Sequence, residues 1–245
     1  MERSFQDGDI LKFLEDRIQF HNELKHTIWN IDGQYIEDRG DGIDVTGTGF
    51  CVHPHGYILT CSHCAADMIQ VANFQTSVVH PAKIVGRSHK HDLALLLCEL
   101  ESDVIPCFDY VKFPDERDQL FVGEEVHSIG HPSSLIGSLM SGMIVYPCSE
   151  DYLCRTLENV QLTLLYPTLN PKMPIIQISN YFATAGASGS PIFDNTGCVV
   201  GMLIALHKHH NLGVHFKILS QFIKENLHGS EGSQKRRGRK WRKRN

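Results

Sequence analysis

No run in this chain approaches the ~20 consecutive apolar residues that a helix needs to cross a bilayer, so a membrane-spanning helix is not expected. The opening Met1-Glu2-Arg3-Ser4-Phe5-Gln6-Asp7 lacks the basic-then-apolar order of a secretory leader. Together these two absences give an expectation of no membrane association and a location in the nucleus, the cytoplasm or both. No short fixed-period repeat is present, which excludes solenoids and propellers. Regular zinc-ligand spacing is also missing: Cys61 and Cys64 form one Cys-x-x-Cys, and no second pair follows. Half of a zinc site therefore stays open, with His89, His91 or the His207-Lys208-His209-His210 run as further ligands, although the expectation is no metal and no cofactor. In an intracellular setting the eight cysteines are expected to be reduced thiols, despite their even number.

What is present is ordinary globular material, with 42% hydrophobic and 21% charged residues in 245, enough for one large domain or two packed halves. The charge is unevenly distributed. Lys235, Arg236, Arg237, Arg239, Lys240, Arg242, Lys243 and Arg244 crowd the last eleven residues, which hold no acid; the remaining 15 cations face 28 acids in the rest of the chain. Such a tail is expected to act as a nuclear localisation signal, with weak, salt-sensitive nucleic-acid contact as a secondary role.

Residues 8–27 place Ile10, Leu11, Leu14, Ile18 and Leu24 at nearly a 3.6-residue period, predicting an amphipathic helix that docks on the domain or on a partner. From Thr27 onward, short apolar runs alternate with Gly, Asp, Asn and Pro, the pattern of an all-β barrel or sandwich. Predicted strands include Ile28-Trp29-Asn30-Ile31, Gly49-Phe50-Cys51-Val52, Tyr57-Ile58-Leu59-Thr60 and the doubly apolar run from Asp92 to Cys98. Further runs are Phe121 to Gly130, Met140 to Val145, Pro191-Ile192-Phe193, Cys198 to Leu206 and Gly213 to Phe216. Asp194-Asn195-Thr196-Gly197 reads as a hairpin turn, and Leu219, Phe222, Ile223 and Leu227 as one face of a closing helix. Residues 148–174 have no clean period and are expected to form a long loop or extra hairpin.

Gly186-Ala187-Ser188-Gly189-Ser190-Pro191 is a tight turn that can project one hydroxyl while aiming backbone N–H groups at one spot. A serine hydroxyl attacks at neutral pH only if a base takes its proton, and the base works best when a carboxylate fixes its tautomer. His63, Asp92 and Ser188 supply the three groups in that chain order.

Several motifs then line up. Gly47-Thr48-Gly49-Phe50-Cys51-Val52, Gly56-Tyr57-Ile58-Leu59-Thr60-Cys61-Ser62-His63 and Asp92-Leu93-Ala94-Leu95-Leu96 are followed by Val122-Gly123-Glu124-Glu125-Val126, Ile129-Gly130-His131-Pro132 and Ser141-Gly142-Met143-Ile144-Val145. With Ile176-Gln177 and the serine turn, they resemble trypsin-like serine proteases of the Deg/HtrA type over about residues 45–218.

The resemblance implies a double six-stranded β-barrel with short N- and C-terminal helices. Its expected organisation is a helical segment 1–27, a peptidase domain 28–228 with barrels at roughly 28–115 and 116–228, and a basic tail 229–245. It also implies an endopeptidase acting through an acyl-enzyme, with His63 as base, Asp92 orienting it, Ser188 as nucleophile, and Gly186 and Ser188 N–H groups as oxyanion hole. Phe182, Ala183, Ile204, Ala205 and Leu206 would line the substrate pocket. Phe182 stands where trypsins carry a carboxylate, so an apolar preference is expected, and Ala187 excludes activation by a new N-terminus pairing with an acid there. Ser190, in place of a glycine, bears on the fit of the turn. Protein or peptide substrates are expected, with a trimer as the family's assembly, and the tail after the last strand is too short for a PDZ module. The alternative function is a catalytically silent fold that binds protein or nucleic acid.

Overall fold

The computed structural model describes residues 7–36, 42–100, 107–114, 119–148, 168–179, 184–207 and 210–227. Helix α1 (Asp7–Leu24) is followed by six strands: β1 (Ile28–Tyr35), β2 (Ile43–His53), β3 (Tyr57–Cys61), β4 (Met68–Asn73), β5 (Val79–Ser88) and β6 (Leu93–Cys98). They close into an antiparallel barrel in the order β1-β2-β3-β6-β5-β4. A second closed barrel contains β7 (Glu125–Gly130), β8 (Ser138–Tyr146), β9 (Ile175–Ser179), β10 (Pro191–Phe193), β11 (Val199–His207) and β12 (His210–His215), in the order β10-β11-β12-β9-β8-β7. Helix α2, over 216–227, closes the described chain. The expected all-β double barrel with a helix near each end is thus the observed fold.

Barrel closure explains the sequence pattern. In β3 all five residues are buried, and Leu93, Ala94, Leu95 and Leu96 of β6 are buried on both faces, because barrel interior and neighbouring elements cover opposite sides. Trp29, Phe50, Ile58, Leu59 and Leu95 fill one core, while Val126, Ile144, Ile178 and Ile192 contribute to a second.

Three expectations need adjustment. Phe121 to Glu124 form a turn before β7 rather than its first residues, and Phe216 begins α2 rather than ending the last strand. Of the apolar row of α1 only Leu24 is partly buried, together with Arg17, Phe20 and His21; Ile10, Leu11, Leu14 and Ile18 are exposed, so those four do not dock on the domain and the partner alternative stays open for them. Polar bonding decides the orientation, because Arg17 Nη1 lies 2.8 Å from His127 Nδ1 and 2.6 Å from Ser141 Oγ, and Nη2 pairs with Glu125. The long-loop expectation for residues 148–174 falls largely outside the described residues.

Candidate active site

β3 delivers the chain to a single 3-10 turn, Ser62–Cys64, and a second such turn, His89–His91, precedes β6. Antiparallel pairing of Cys61 with Leu93 brings the two turns side by side. Asp92 ends the second in a left-handed conformation, φ 54° and ψ 44°, one that Asp tolerates better than most side chains. Its backbone carbonyl accepts from Ser62 N at 3.0 Å, and its carboxylate accepts from His63 N at 3.0 Å and meets His63 Nδ1 at 2.7 Å. Two carboxylate bonds therefore fix both the backbone and the ring of His63, with Nδ1–H as donor. The Asp92 side chain is 6% exposed and that of His63 is 32% exposed, so the carboxylate is enclosed while the imidazole has an open edge.

Burial alone pulls the His63 pKa down. The Asp92 hydrogen bond and the Cys64 sulfur oppose it and prevail, raising the group to about 10.

Ser188 comes from the second barrel, on the turn before β10. Ala187 N donates to Thr184 O at 3.0 Å, and Gly186 holds φ at +93° in the third position of that turn, a conformation that favours glycine. A Cβ on Gly186 would stand 2.4 Å from the His131 carbonyl, so space and backbone conformation impose the same residue. The neighbouring Ala185 carbonyl accepts from Ser133 N at 2.7 Å. Ser190 keeps the backbone bonds of the turn: its N donates to Ala187 O at 3.0 Å and its O accepts from Leu203 N at 2.9 Å, while its side chain uses the space left by Gly130 and its hydroxyl is buried without a partner among the described residues. Ala187 is buried among apolar residues, so no acid occupies its position.

Bonds across the seam bring the serine turn to the His63 turn. Thr48 N donates to Ser188 O at 2.9 Å, Thr48 Oγ1 donates to Gly186 O at 2.8 Å, and Cys64 Sγ lies 4.0 Å from Ser188 O. Beside Ser188 opens a cavity of about 220 Å³ lined by Thr184, Ala185, Ala187, Ser188, Leu203, Ala205, Leu206 and Asn211, none of which carries a formal charge.

Ala205 and Leu206 line this cavity. Ile204 does not: it is 1% exposed and packs into the core, at the irregularity in the β11–β12 pairing between Leu203 and Ala205. Phe182 and Ala183 lie outside the described residues, as do the basic residues from Lys235 to Arg244. The sequence reading missed Thr48, Leu203 and Asn211. A hydroxyl between Gly47 and Gly49 was the available signal for Thr48, whereas Asn211 reaches the wall through a strand pairing that no local motif announces.

The half-zinc alternative gains nothing from His89, whose Nδ1 sits 3.1 Å from Ser62 Oγ. Among the described residues Cys61, His63 and Asp92 bring possible ligand atoms within 4.8 Å of one another, but His63 and Asp92 are already bonded to each other.

The trypsin-like peptidase domain model matches residues 47–202. The chain belongs to that family. Similar proteins include the probable periplasmic serine endoprotease DegP-like of Hahella chejuensis, 31% identical over 177 residues, covering 71% of this chain and 33% of that protein. Its namesake in Pseudomonas putida is 31% identical over 166 residues, covering 67% and 30%; that of Chlamydia pneumoniae is 28% identical over 163 residues, covering 66% and 29%. The chain spans about a third of the length of these relatives. They correct the expected location: the relatives are named periplasmic enzymes, so the expected nuclear or cytoplasmic placement is withdrawn.

Proposed function

We propose that this trypsin-like domain is a serine endopeptidase that cleaves protein or peptide chains through His63, Asp92 and Ser188. The observation carrying the reading is the pair of bonds from the enclosed Asp92 carboxylate to His63, set beside a glycine-bounded serine turn. With Nδ1–H donated to Asp92, the other ring nitrogen of His63 is the one able to accept the Ser188 proton. Ser188 Oγ attacks the scissile carbonyl, and the N–H groups of Gly186 and Ser188 stabilise the resulting oxyanion, each contributing ~2.7–4 kcal/mol. His63 then gives its proton to the leaving amine. Water, deprotonated by the same imidazole, hydrolyses the acyl-enzyme.

The uncharged cavity beside Ser188 favours small to medium apolar side chains over Lys or Arg at the cleaved bond. Self-association would use the exposed row Ile10, Leu11, Leu14 and Ile18 of α1. Sedimentation of wild type against Ile18→Glu measures it, the reading predicting a smaller species for the variant.

A fluorophosphonate probe tests the nucleophile. It labels wild type and leaves Ser188→Ala unlabelled, and peptide hydrolysis falls by roughly a millionfold in the variant. Folded wild type that takes no label would remove the endopeptidase reading.

A further inference from the structure

Cys61 closes β3 and Cys64 ends the following turn, so His63 lies inside a four-residue segment with a thiol at each end. Both are free thiols, 0% and 1% exposed, and each lies near enough to shift the other's titration. Each also reaches the second barrel. Cys61 Sγ donates to Leu203 O at 3.3 Å, on the strand that lines the cavity, and Cys64 Sγ approaches the carbonyl of Ser188. Cys64 occupies space that Gly47 leaves open, since a Cβ on Gly47 would stand 2.5 Å from its sulfur.

The two thiols are chemically unequal. The neighbouring Cys61 lowers Cys64 against the effect of burial, and His63 adds to the lowering, bringing it to about 6; burial pushes Cys61 well up. One sulfur is therefore suited to attack and the other to resolve.

We propose that Cys61 and Cys64 form a redox pair whose disulfide withdraws His63 from service. The proposal rests on His63 acting as the base. The oxidant is a hydroperoxide. The Cys64 thiolate attacks the outer peroxide oxygen, giving a sulfenic acid and releasing an alcohol, or water when the oxidant is hydrogen peroxide. Cys61 then attacks the Cys64 sulfur and the hydroxyl leaves as water. In balance, two thiols and one hydroperoxide give one disulfide, one alcohol and one water. Closing the sulfurs to about 2.05 Å draws Cys64 from the Ser188 carbonyl and Cys61 from the Leu203 carbonyl. The same contraction tightens the turn whose backbone N–H and imidazole are both held by Asp92. A displacement of about 1 Å in such a group lowers the rate on the order of a hundredfold.

The full chain, treated with hydrogen peroxide and then alkylated, is read by tandem mass spectrometry, by the rate of fluorophosphonate labelling and by the His63 imidazole proton resonance. The expected result is a Cys61–Cys64 peptide lighter by two hydrogens, a shifted His63 resonance, and labelling slower by about a hundredfold until dithiothreitol restores it. Cys61→Ala, compared with its own reduced form, loses this reversible response, and Cys107→Ala keeps it. The proposal is overturned if both thiols remain alkylatable after oxidation, or if the disulfide forms while the resonance and labelling rate stay unchanged. Should reduced, folded wild type take no label, the endopeptidase reading fails by itself; the linked peptide and shifted resonance still decide whether the pair moves His63.

Discussion

Thr48 holds the serine turn through backbone and side chain together. Besides its bonds to Ser188 and Gly186, its hydroxyl accepts from His131 N at 3.1 Å, and its own carbonyl accepts from Thr60 Oγ1 at 2.7 Å. Thr48 is 0% exposed, so water cannot replace the hydroxyl. Thr48→Val keeps the shape and leaves the Gly186 carbonyl and His131 N–H unpaired, each costing about 1–3 kcal/mol. The expected outcome is a lower urea midpoint and a kcat reduced about ten- to a hundredfold, with KM less affected, because the damage falls on the groups proposed to meet the oxyanion. Thr48→Ser restores most of both.

A second residue-scale prediction concerns His63. Catalysis requires the neutral ring, and the pKa raised to about 10 means that the labelling rate climbs with pH beyond the ordinary imidazole range near 6.5. Cys64→Ala removes contacts that favour the charged ring, so the midpoint of the pH profile moves down. A profile unmoved by the substitution would show that the sulfur has no part in setting the base.

At the scale of elements, α1 is held by a polar anchor. Arg17 bonds to β7 and β8, and Phe20 packs edge-on against His127 and Phe193 at centroid distances of 4.9 and 6.1 Å. Removing the guanidinium in Arg17→Ala costs about 1–2 kcal/mol, less than for a fully buried charged bond because Glu125 is 43% exposed. Hydrogen exchange is expected to quicken in 7–24 while the barrel strands keep their protection, locating the loss in helix docking.

Which face of this helix meets the domain was not legible. Its apolar period was legible, but periodicity carries no information on which face an arginine with three partners will pull inward. The buried strands β3 and β6 were readable from their continuous apolar runs. β5 was not, since its residues alternate between exposed and half-buried and include Pro81. In the site, the ordered motifs singled out His63, Asp92 and Ser188, whereas the phase of β11 depended on an irregularity between Leu203 and Ala205 that sequence does not announce.

For the molecule as a whole, the seam between barrels makes stability and the site sensitive to the same acid titration. His131, 2% exposed, lends its N–H to Thr48 and its carbonyl to the wall against Gly186. Burial, offset in part by the Trp29 backbone, pushes it down to about 4. His127, behind α1, is also lowered, by burial first and by Arg17, against its bond with Asn195. Both groups bind protons more weakly folded than unfolded, so their neutral forms are fully compatible with the fold above about pH 6.5. As pH falls below that value the unfolded chain takes up protons that the folded chain resists, and stability declines. For His131 the decline runs from about 6.5 to about 4 and amounts to at most about 3 kcal/mol, at 1.36 kcal/mol per pH unit. Urea unfolding at pH 7, 5.5 and 4.5 is expected to give successively lower midpoints in wild type and a flatter series in His131→Gln. A wild-type midpoint that held steady on acidification would mean that His131 is charged within the fold, and the seam would then need an acceptor for that charge beside the Gly186 turn.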